Sequence, residues 1–369
     1  MSMRNEEIHI APKKKLFKEL LLISIGKRDR FSTDLTAEDL AFLYEEAKKQ
    51  ALLGFLFTGI ERAIVSSKSD WELKKVIFQW FAYCQALRTQ NFVQGQRVEE
   101  LTKLFNSSNI RNTLLKGQGY ALLYPYPERR QCGDIDFWIE ADRDKAIQFC
   151  KNNWGVHHIN YKHLSLTNHP DSDVEIHFIP SWFYNPFIDC KFKKWYRKSL
   201  DDQFQLPMTK RFPTPTIDFN LVYCCVHIYR HIFDEGIGLR QLTDYYYILH
   251  ASSAEQRKQA YGILCSFKMK RFVGAVMYVL KYFFEIDDDM LLCKTNKIQG
   301  EKLLHGILRG GNFGHHNPQN KHRNENIIFR AIRIIRHNSA IFVDYPSEVF
   351  WSPLWKIWHW CWRKKNGYL

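Results

Sequence analysis

Two aspartates, Asp134 and Asp136, stand two residues apart in the run GDIDFWI. A β-strand turns successive side chains to opposite faces, so this spacing puts both carboxylates on one face and Ile135 on the other. Like charges held that close raise each other's pKa unless a cation neutralises them, and a buried pair without one is costly. Glu175 lies in a second β-like run, DVEIHF, between apolar Val174 and Ile176, where a neighbouring strand would add a third oxygen ligand to the same patch. Three carboxylates suit hard divalent cations, Mg²⁺ or Mn²⁺. Two such ions about 3.5–4 Å apart activate an attacking hydroxyl and stabilise a departing pyrophosphate, which is the chemistry of nucleotidyl transfer. The reading requires the three acids to share one face of a sheet, with no lysine or arginine plugging the space between them.

Upstream, in LLKGQGYALLYP, Lys116 and Gly117 follow an apolar strand and open a helix, an arrangement that offers backbone N–H groups and a cation to phosphate. The GxxxxGK[ST] loop is absent, and GQG lacks the third glycine of a dinucleotide fingerprint, so the triphosphate site is of another kind. His163 and His177, with His157, His158 and His169 nearby, raise the idea of zinc, but the region lacks the ligand spacing that zinc sites show. His177 is expected beside the carboxylates, on the face opposite Ile176. His227 and His231, four apart, share a helical face and fit plain packing as well as a metal or phosphate contact.

The elements that must position these residues divide the chain into three. Residues 1–109 carry apolar residues at three- and four-residue spacing in LFKELLLISI, EDLAFLYEEAKKQALLGFLFTGIERAI and WELKKVIFQWFAYCQALRTQNFVQGQRVEELTKLF, an N-terminal helical unit. Thr36 with Asp39, and Ser67 or Ser69 before Trp71, are its helix starts. Residues 110–215 change period: short β-like runs RNTLL, DIDFWI, HHINYKHLSL and DVEIHFI alternate with helical GYALLYP and DRDKAIQFCKNNW. From Cys190 to Pro215 the pattern is ambiguous, and Pro213 and Pro215 mark a boundary. Residues 216–369 return to helical spacing, broken by the Gly-, Asn- and His-rich loop over residues 310–326. The predicted fold class is α+β: a small mixed β-sheet core with helices, flanked by N-terminal and C-terminal helical units.

Composition narrows the class of partner. The formal charge of +14 favours anions such as triphosphates, nucleic acid or anionic lipid. Nine cysteines without a CxxC pair are no disulfide or zinc-ribbon framework, and a mean hydropathy of -0.39 argues against a multi-spanning membrane protein. With no secretory leader pattern and no spanning helix, a cytoplasmic protein is the expectation. The C-terminal VFWSPLWKIWHWCWRKKNGYL concentrates tryptophan beside a basic cluster; it reads as a final helix, starting after Pro353, docked on the core through its Trp face, with peripheral membrane contact as the alternative.

LLKGQGYALLYPYPERRQCGDIDFWI followed by YKHLSLTNHPDSDVEIHF resembles the uncharacterised nucleotidyltransferase family of the polymerase-β-like superfamily, with an LKG turn, an Arg, a D-I-D strand and a later E-I-H strand in that order. The likeness extends more loosely through HIYRHIFDEGIGLRQLTDYYYIL and GNFGH. It implies that Asp134 and Asp136 bind both ions, that Glu175 completes the catalytic and metal site, and that Lys116, Gly117 and Arg130 approach the triphosphate. It also implies that the helix bearing Arg240 and Asp244, spaced for an intrahelical ion pair, faces the nucleotide cleft. Gly-Gln or Gly-Tyr stands where the superfamily usually opens the motif with Gly-Ser or Gly-Gly, so the usual serine hydroxyl is missing. The activity so implied is transfer of an NMP group from an NTP, such as ATP, to a hydroxyl on a small molecule, a protein or an RNA end. The alternative is a silent module of the same fold that binds nucleic acid or a protein.

Overall fold

The structure, a computed structural model, describes residues 12–64, 71–167, 172–206, 211–234, 236–316 and 342–368. The expected helix starts at Ser67 or Ser69, His169, and the part of the 310–326 loop beyond residue 316 lie outside the described residues.

The N-terminal segment forms α1 (Pro12–Ser24), α2 (Ala37–Lys49), α3 (Leu53–Ile64) and the long α4 (Trp71–Ser107). Thr36 and Asp39 close a reciprocal capping box at the start of α2, as their spacing predicts. The single helical run expected over residues 38–64 is two helices: Ala51 takes a left-handed φ of 54° and turns the chain between them.

The sheet comprises β1 (Arg111–Leu115), β2 (Ile135–Glu140), β3 (Val156–Ile159), β4 (His163–Leu166) and β5 (Val174–His177), with α5 (Gly117–Ala121) after β1 and α6 (Arg143–Asn153) after β2. The run HHINYKHLSL, expected as one strand, is the β3–β4 hairpin, turned by Asn160 through its side-chain oxygen, which accepts from the Lys162 and His163 backbone N–H groups. Strand order is β1-β2-β5-β4-β3, and β2 pairs parallel to β5 while the other pairs are antiparallel. The last strand in sequence is therefore central, and its register sets Asp136 opposite Glu175 and Trp138 opposite His177.

Alternation then divides the sheet by chemistry. Ile135, Phe137, Ile139, Leu164, Val174 and Ile176 face a core completed by Val98, Leu101 and Phe105 of α4 and Ala146, Ile147 and Cys150 of α6. Burying each such aliphatic or aromatic side chain contributes roughly 1.5–3 kcal/mol, which fixes the register and leaves Asp136, Glu175 and His177 to the other face.

On that other face Trp138 packs against Tyr196 of α7 (Pro186–Lys198) and Phe219 of α9 (Ile217–Asp234), and the helical part is completed by α8 (Leu200–Gln203), α10 (Leu239–His250), α11 (Ala254–Ser266), α12 (Lys270–Phe283) and α13 (Lys297–Gly310). Their apolar residues join those of α1, α2 and α3 in one continuous core, into which Leu115 and Trp138 of the sheet also project. The stretch from Cys190 to Pro215, read as ambiguous, begins inside α7, which Asn185 caps and Pro186 opens, and continues through the short α8.

The last helix, α14 (Pro346–Lys365), runs through Pro353 instead of starting after it. Tertiary contacts hold it on both sides of the proline: buried Glu348 accepts from the Tyr184 and Asn185 backbone N–H groups, and Trp355 packs on Trp182 and Tyr184. Trp358 and Trp360 are each about half exposed, and Trp358 meets Tyr161 edge-on. No helix among the described residues is long and apolar enough to cross a membrane.

Arg130 binds this assembly together. Its guanidinium forks onto Asp244 of α10 (Nε to Oδ1 2.7 Å, Nη2 to Oδ2 2.8 Å), and the Tyr124 hydroxyl donates to the same carboxylate at 2.7 Å. The intrahelical Arg240–Asp244 pair expected from spacing is not made, because the planar fork of Arg130 already saturates Asp244. Both partners are buried, so removing one strands the other. Asp244→Ala is expected to cost about 3–5 kcal/mol of unfolding free energy in urea titrations, and Arg130→Met/Asp244→Leu clearly less.

Candidate active site

Lys116 leaves β1 with φ 53° and ψ −142°, a backbone conformation that a residue with a side chain seldom adopts, and Gly117 follows at φ 40°. The helix they open, α5, is five residues long. It is too short to present the expected helix N-terminus to phosphate, which leaves the Lys116 ammonium as the cation this turn offers. A Cβ on Gly117 would lie 3.5 Å from the Asp134 carbonyl oxygen, so the turn and the start of β2 are in close approach.

The acids converge as the spacing predicts. One oxygen from each of Asp134, Asp136 and Glu175 lies within 4.8 Å of the others, a donor set of hard oxygens that fits a divalent cation. Asp134 is exposed, and among the described residues its carboxylate makes no hydrogen bond or ion pair. Asp136 is only 1% exposed. Its Oδ1 already has two partners, Lys116 Nζ at 3.0 Å and His177 Nε2 at 2.8 Å. The condition that no lysine enter the patch is therefore not met at Asp136: a cation reaching Oδ1 must displace the ammonium or the imidazole N–H.

The electrostatics follow from these contacts. Burial pushes the Asp136 carboxyl up, but Lys116 and His177 outweigh it and hold the group below the usual carboxylate range. Glu175 behaves alike: burial raises it, and the hydrogen bond and charge of His177 and the charge of Lys162 bring it below its ordinary value. His177 is displaced the other way. Burial alone would lower it, yet its contacts with Asp136 and Glu175 (Nε2 to Oε2 3.2 Å) raise it.

His163 enters from β4, opposite His177 in the register. Because the Asn160 Oδ1 accepts from two backbone N–H groups, its Nδ2 must face His163 Nε2, at 2.8 Å. That ring nitrogen is thereby an acceptor, and the proton of the neutral ring sits on Nδ1, 3.0 Å from Glu175 Oε2, though without linear hydrogen-bond alignment. His163, Glu175 and His177 do gather donor atoms within 4.8 Å, but this tautomer turns an N–H, not a lone pair, toward the cluster. The Lys162 ammonium, in the same hairpin, lies over the Trp182 ring at 4.9 Å and makes no hydrogen bond or ion pair among the described residues. Spacing does not point to Asn160 or Lys162, and points to His163 only as an idea for zinc, since their place depends on β4 lying beside β5.

Opposite the acids, the cleft is walled by Arg130, Arg240, Gln241 and Asp244, with His227 and Phe313. Arg130 and Arg240 thus reach the same cleft as Lys116 and Gly117, although Arg130 is committed to Asp244. Arg240 donates from Nη1 to the Gln131 carbonyl at 2.9 Å, and its buried Nε has no partner. His227 and His231 face each other at 3.1 Å between their Nε2 atoms, close enough for one ring to donate to the other. The enclosed space is about 30 Å³, room for water and not for a nucleotide, so a nucleotide needs the mouth of the cleft or a movement of its walls.

The sequence matches the family described as uncharacterised nucleotidyltransferase over residues 36–285. This span covers both strands that carry the acids and most of the helical core, and the chain belongs to that family. Among solved structures, it shows a slight likeness to an antigenic nucleotidyltransferase-like protein from Paracoccidioides brasiliensis. That match has 12% identity and a TM-score of 0.34, and covers 58% of this chain and 96% of the other. No curated protein matches the chain.

The direction of the His177 shift fixes a pH dependence. A group whose folded pKa is raised lends stability that is complete below its unfolded value, about 6.5, and is lost as pH rises through the folded value. Melting temperature of the metal-free protein is expected to fall as pH rises above about 6.5, and His177→Gln to flatten that decline; equal slopes in both proteins would remove His177 as its source.

Proposed function

With membership of that family as the premise, we propose that the chain is a metal-dependent nucleotidyltransferase that moves an NMP group from an NTP to a hydroxyl acceptor and releases pyrophosphate. The observation that carries this reading is the convergence of Asp134, Asp136 and Glu175 from two strands in parallel register. These three would hold Mg²⁺ or Mn²⁺, as a pair of ions. When bound, the metal supplies charge neutralisation at the phosphates and lowers the pKa of the attacking hydroxyl.

The chain's own groups then have distinct tasks. The acceptor oxygen attacks the α-phosphorus in line, the bond to the β-phosphate oxygen breaks, and pyrophosphate departs. Glu175 is our choice to take the acceptor's proton, because it is more open than Asp136 and its Oε1 is free of hydrogen bonds among the described residues. Lys116 neutralises Asp136 in the resting protein and turns to the triphosphate when that anion arrives. Arg240, with an unsatisfied Nε, is a second phosphate contact. Arg130 acts through Asp244, holding α10 and hence Arg240 against the cleft. Catalysis is positioning and charge neutralisation.

One observation favours a second reading. The Lys116–Asp136 contact is the kind that would permanently replace a bound cation, leaving a silent module whose basic surface binds nucleic acid or a protein. Calorimetry with ATP separates the two. Wild type is expected to bind ATP only with Mg²⁺ or Mn²⁺, to lose binding in EDTA, and to lose it in Asp134→Ala/Asp136→Ala. Metal-independent binding of RNA, unchanged in that variant, would favour the module instead. Once an acceptor is found by mass spectrometry of extracts incubated with labelled NTPs, Glu175→Gln is expected to lower turnover by about 10²–10⁴-fold.

A further inference from the structure

Lys116 is not alone in pairing a left-handed backbone with a place in the cleft. Phe313, in the turn Gly311–Gly314, has φ 51° and ψ 27°, a conformation rare for a bulky residue, and its ring lines the same cleft as Lys116, Asp134, Asp136 and Arg240. Residue 313 lies beyond the span that matches the family, residues 36–285.

The turn is built to hold that ring in place. Gly311 has φ 67°, and a Cβ there would come within 2.7 Å of the Lys49 carbonyl oxygen. A Cβ on Gly238 would meet Asn312 Cα at 2.8 Å, so the start of α10 packs directly on the turn. Gln241 Nε2 donates to Asn312 Oδ1 at 3.1 Å, and Gln50 joins both neighbours by accepting from the Leu239 N–H (2.9 Å) and donating to the Ile307 carbonyl (3.1 Å). The ring itself is steadied by His231, centroid to centroid 4.8 Å, and by the Arg240 guanidinium, 5.4 Å from its centre. It is only partly buried.

An aromatic ring gives a triphosphate no hydrogen-bond donor and no positive charge. Beside the charged Lys116, Asp134, Asp136 and Arg240 of the same cleft, this partly exposed ring matches the apolar, planar part of a nucleotide. We infer that Phe313 is the stacking platform for the nucleobase of the bound NTP, with Arg240 spanning the base side and the phosphate side of the site. The inference rests on the nucleotidyltransferase reading and adds the base contact to it. A stacked ring grips any base and does not read its edge, so this contact supplies affinity and leaves base choice to other groups.

The test separates base from phosphate by calorimetry in Mg²⁺ buffer, with ATP and inorganic tripolyphosphate as probes, on wild type, Phe313→Leu and Phe313→Trp, each checked by thermal melting. Phe313→Leu is expected to bind ATP about tenfold more weakly and tripolyphosphate as wild type does. Phe313→Trp is expected to restore ATP binding. Equal ATP affinity in wild type and Phe313→Leu overturns the stacking role, as does equal weakening toward both probes or a Trp variant no better than Leu. A wild type that binds neither probe overturns the nucleotide site and the stacking role together, whereas wild-type binding of both with no discrimination in the variants removes the stacking role alone.

Discussion

The structure turns on two carboxylates set side by side by strand pairing. Asp136 of β2 and Glu175 of β5 are register partners on strands about 4.8 Å apart. Neither can turn away, because rotation of either strand would expose Ile135, Phe137, Val174 and Ile176. The hydrophobic face thus forces a repulsion on the polar one. The surroundings answer it with hydrogen bonds and positive charge: the Lys116 ammonium and the His177 ring on Asp136, His177 again on Glu175, and the charge of Lys162 acting on Glu175 from the neighbouring hairpin.

This arrangement gives the lysine a double meaning. It stabilises the resting site by supplying the charge the acids demand, and it occupies an oxygen that a metal ion would need. The strained backbone at Lys116 is consistent with a residue held for function, since a left-handed, non-glycine residue needs surrounding structure to sustain it. Asp134, exposed and unpartnered among the described residues, leaves the cluster with an open ligand whichever way the lysine points.

Sequence alone revealed the acids because their signal is local. Alternation in IDFWI and VEIH names the face of each side chain without knowledge of topology, and the LKG turn and D-I-D strand carried the family resemblance. What stayed hidden depends on distant pairing. His163 becomes a neighbour of Glu175 only because β4 lies beside β5, and the hairpin turn that precedes it contains no glycine or proline to announce it. Arg130 finds Asp244 across 114 residues, so the nearer candidate Arg240, at helical spacing, drew the expectation instead. The break between α2 and α3 rests on Ala51 in a left-handed conformation, for which alanine gives no warning. Phe313 lies in GNFGH, which the looser likeness reaches without giving it a role, and only the fold brings that turn to the carboxylates.

The central claim is that the acid cluster takes a divalent ion in exchange for the Lys116 ammonium. The most direct measurement is anomalous diffraction from crystals grown with Mn²⁺ and a non-hydrolysable NTP analogue. The account predicts a manganese peak among Asp134, Asp136 and Glu175, with the Lys116 side chain withdrawn from Asp136 onto the phosphates. A map with no such peak and the lysine still on Asp136 would contradict it.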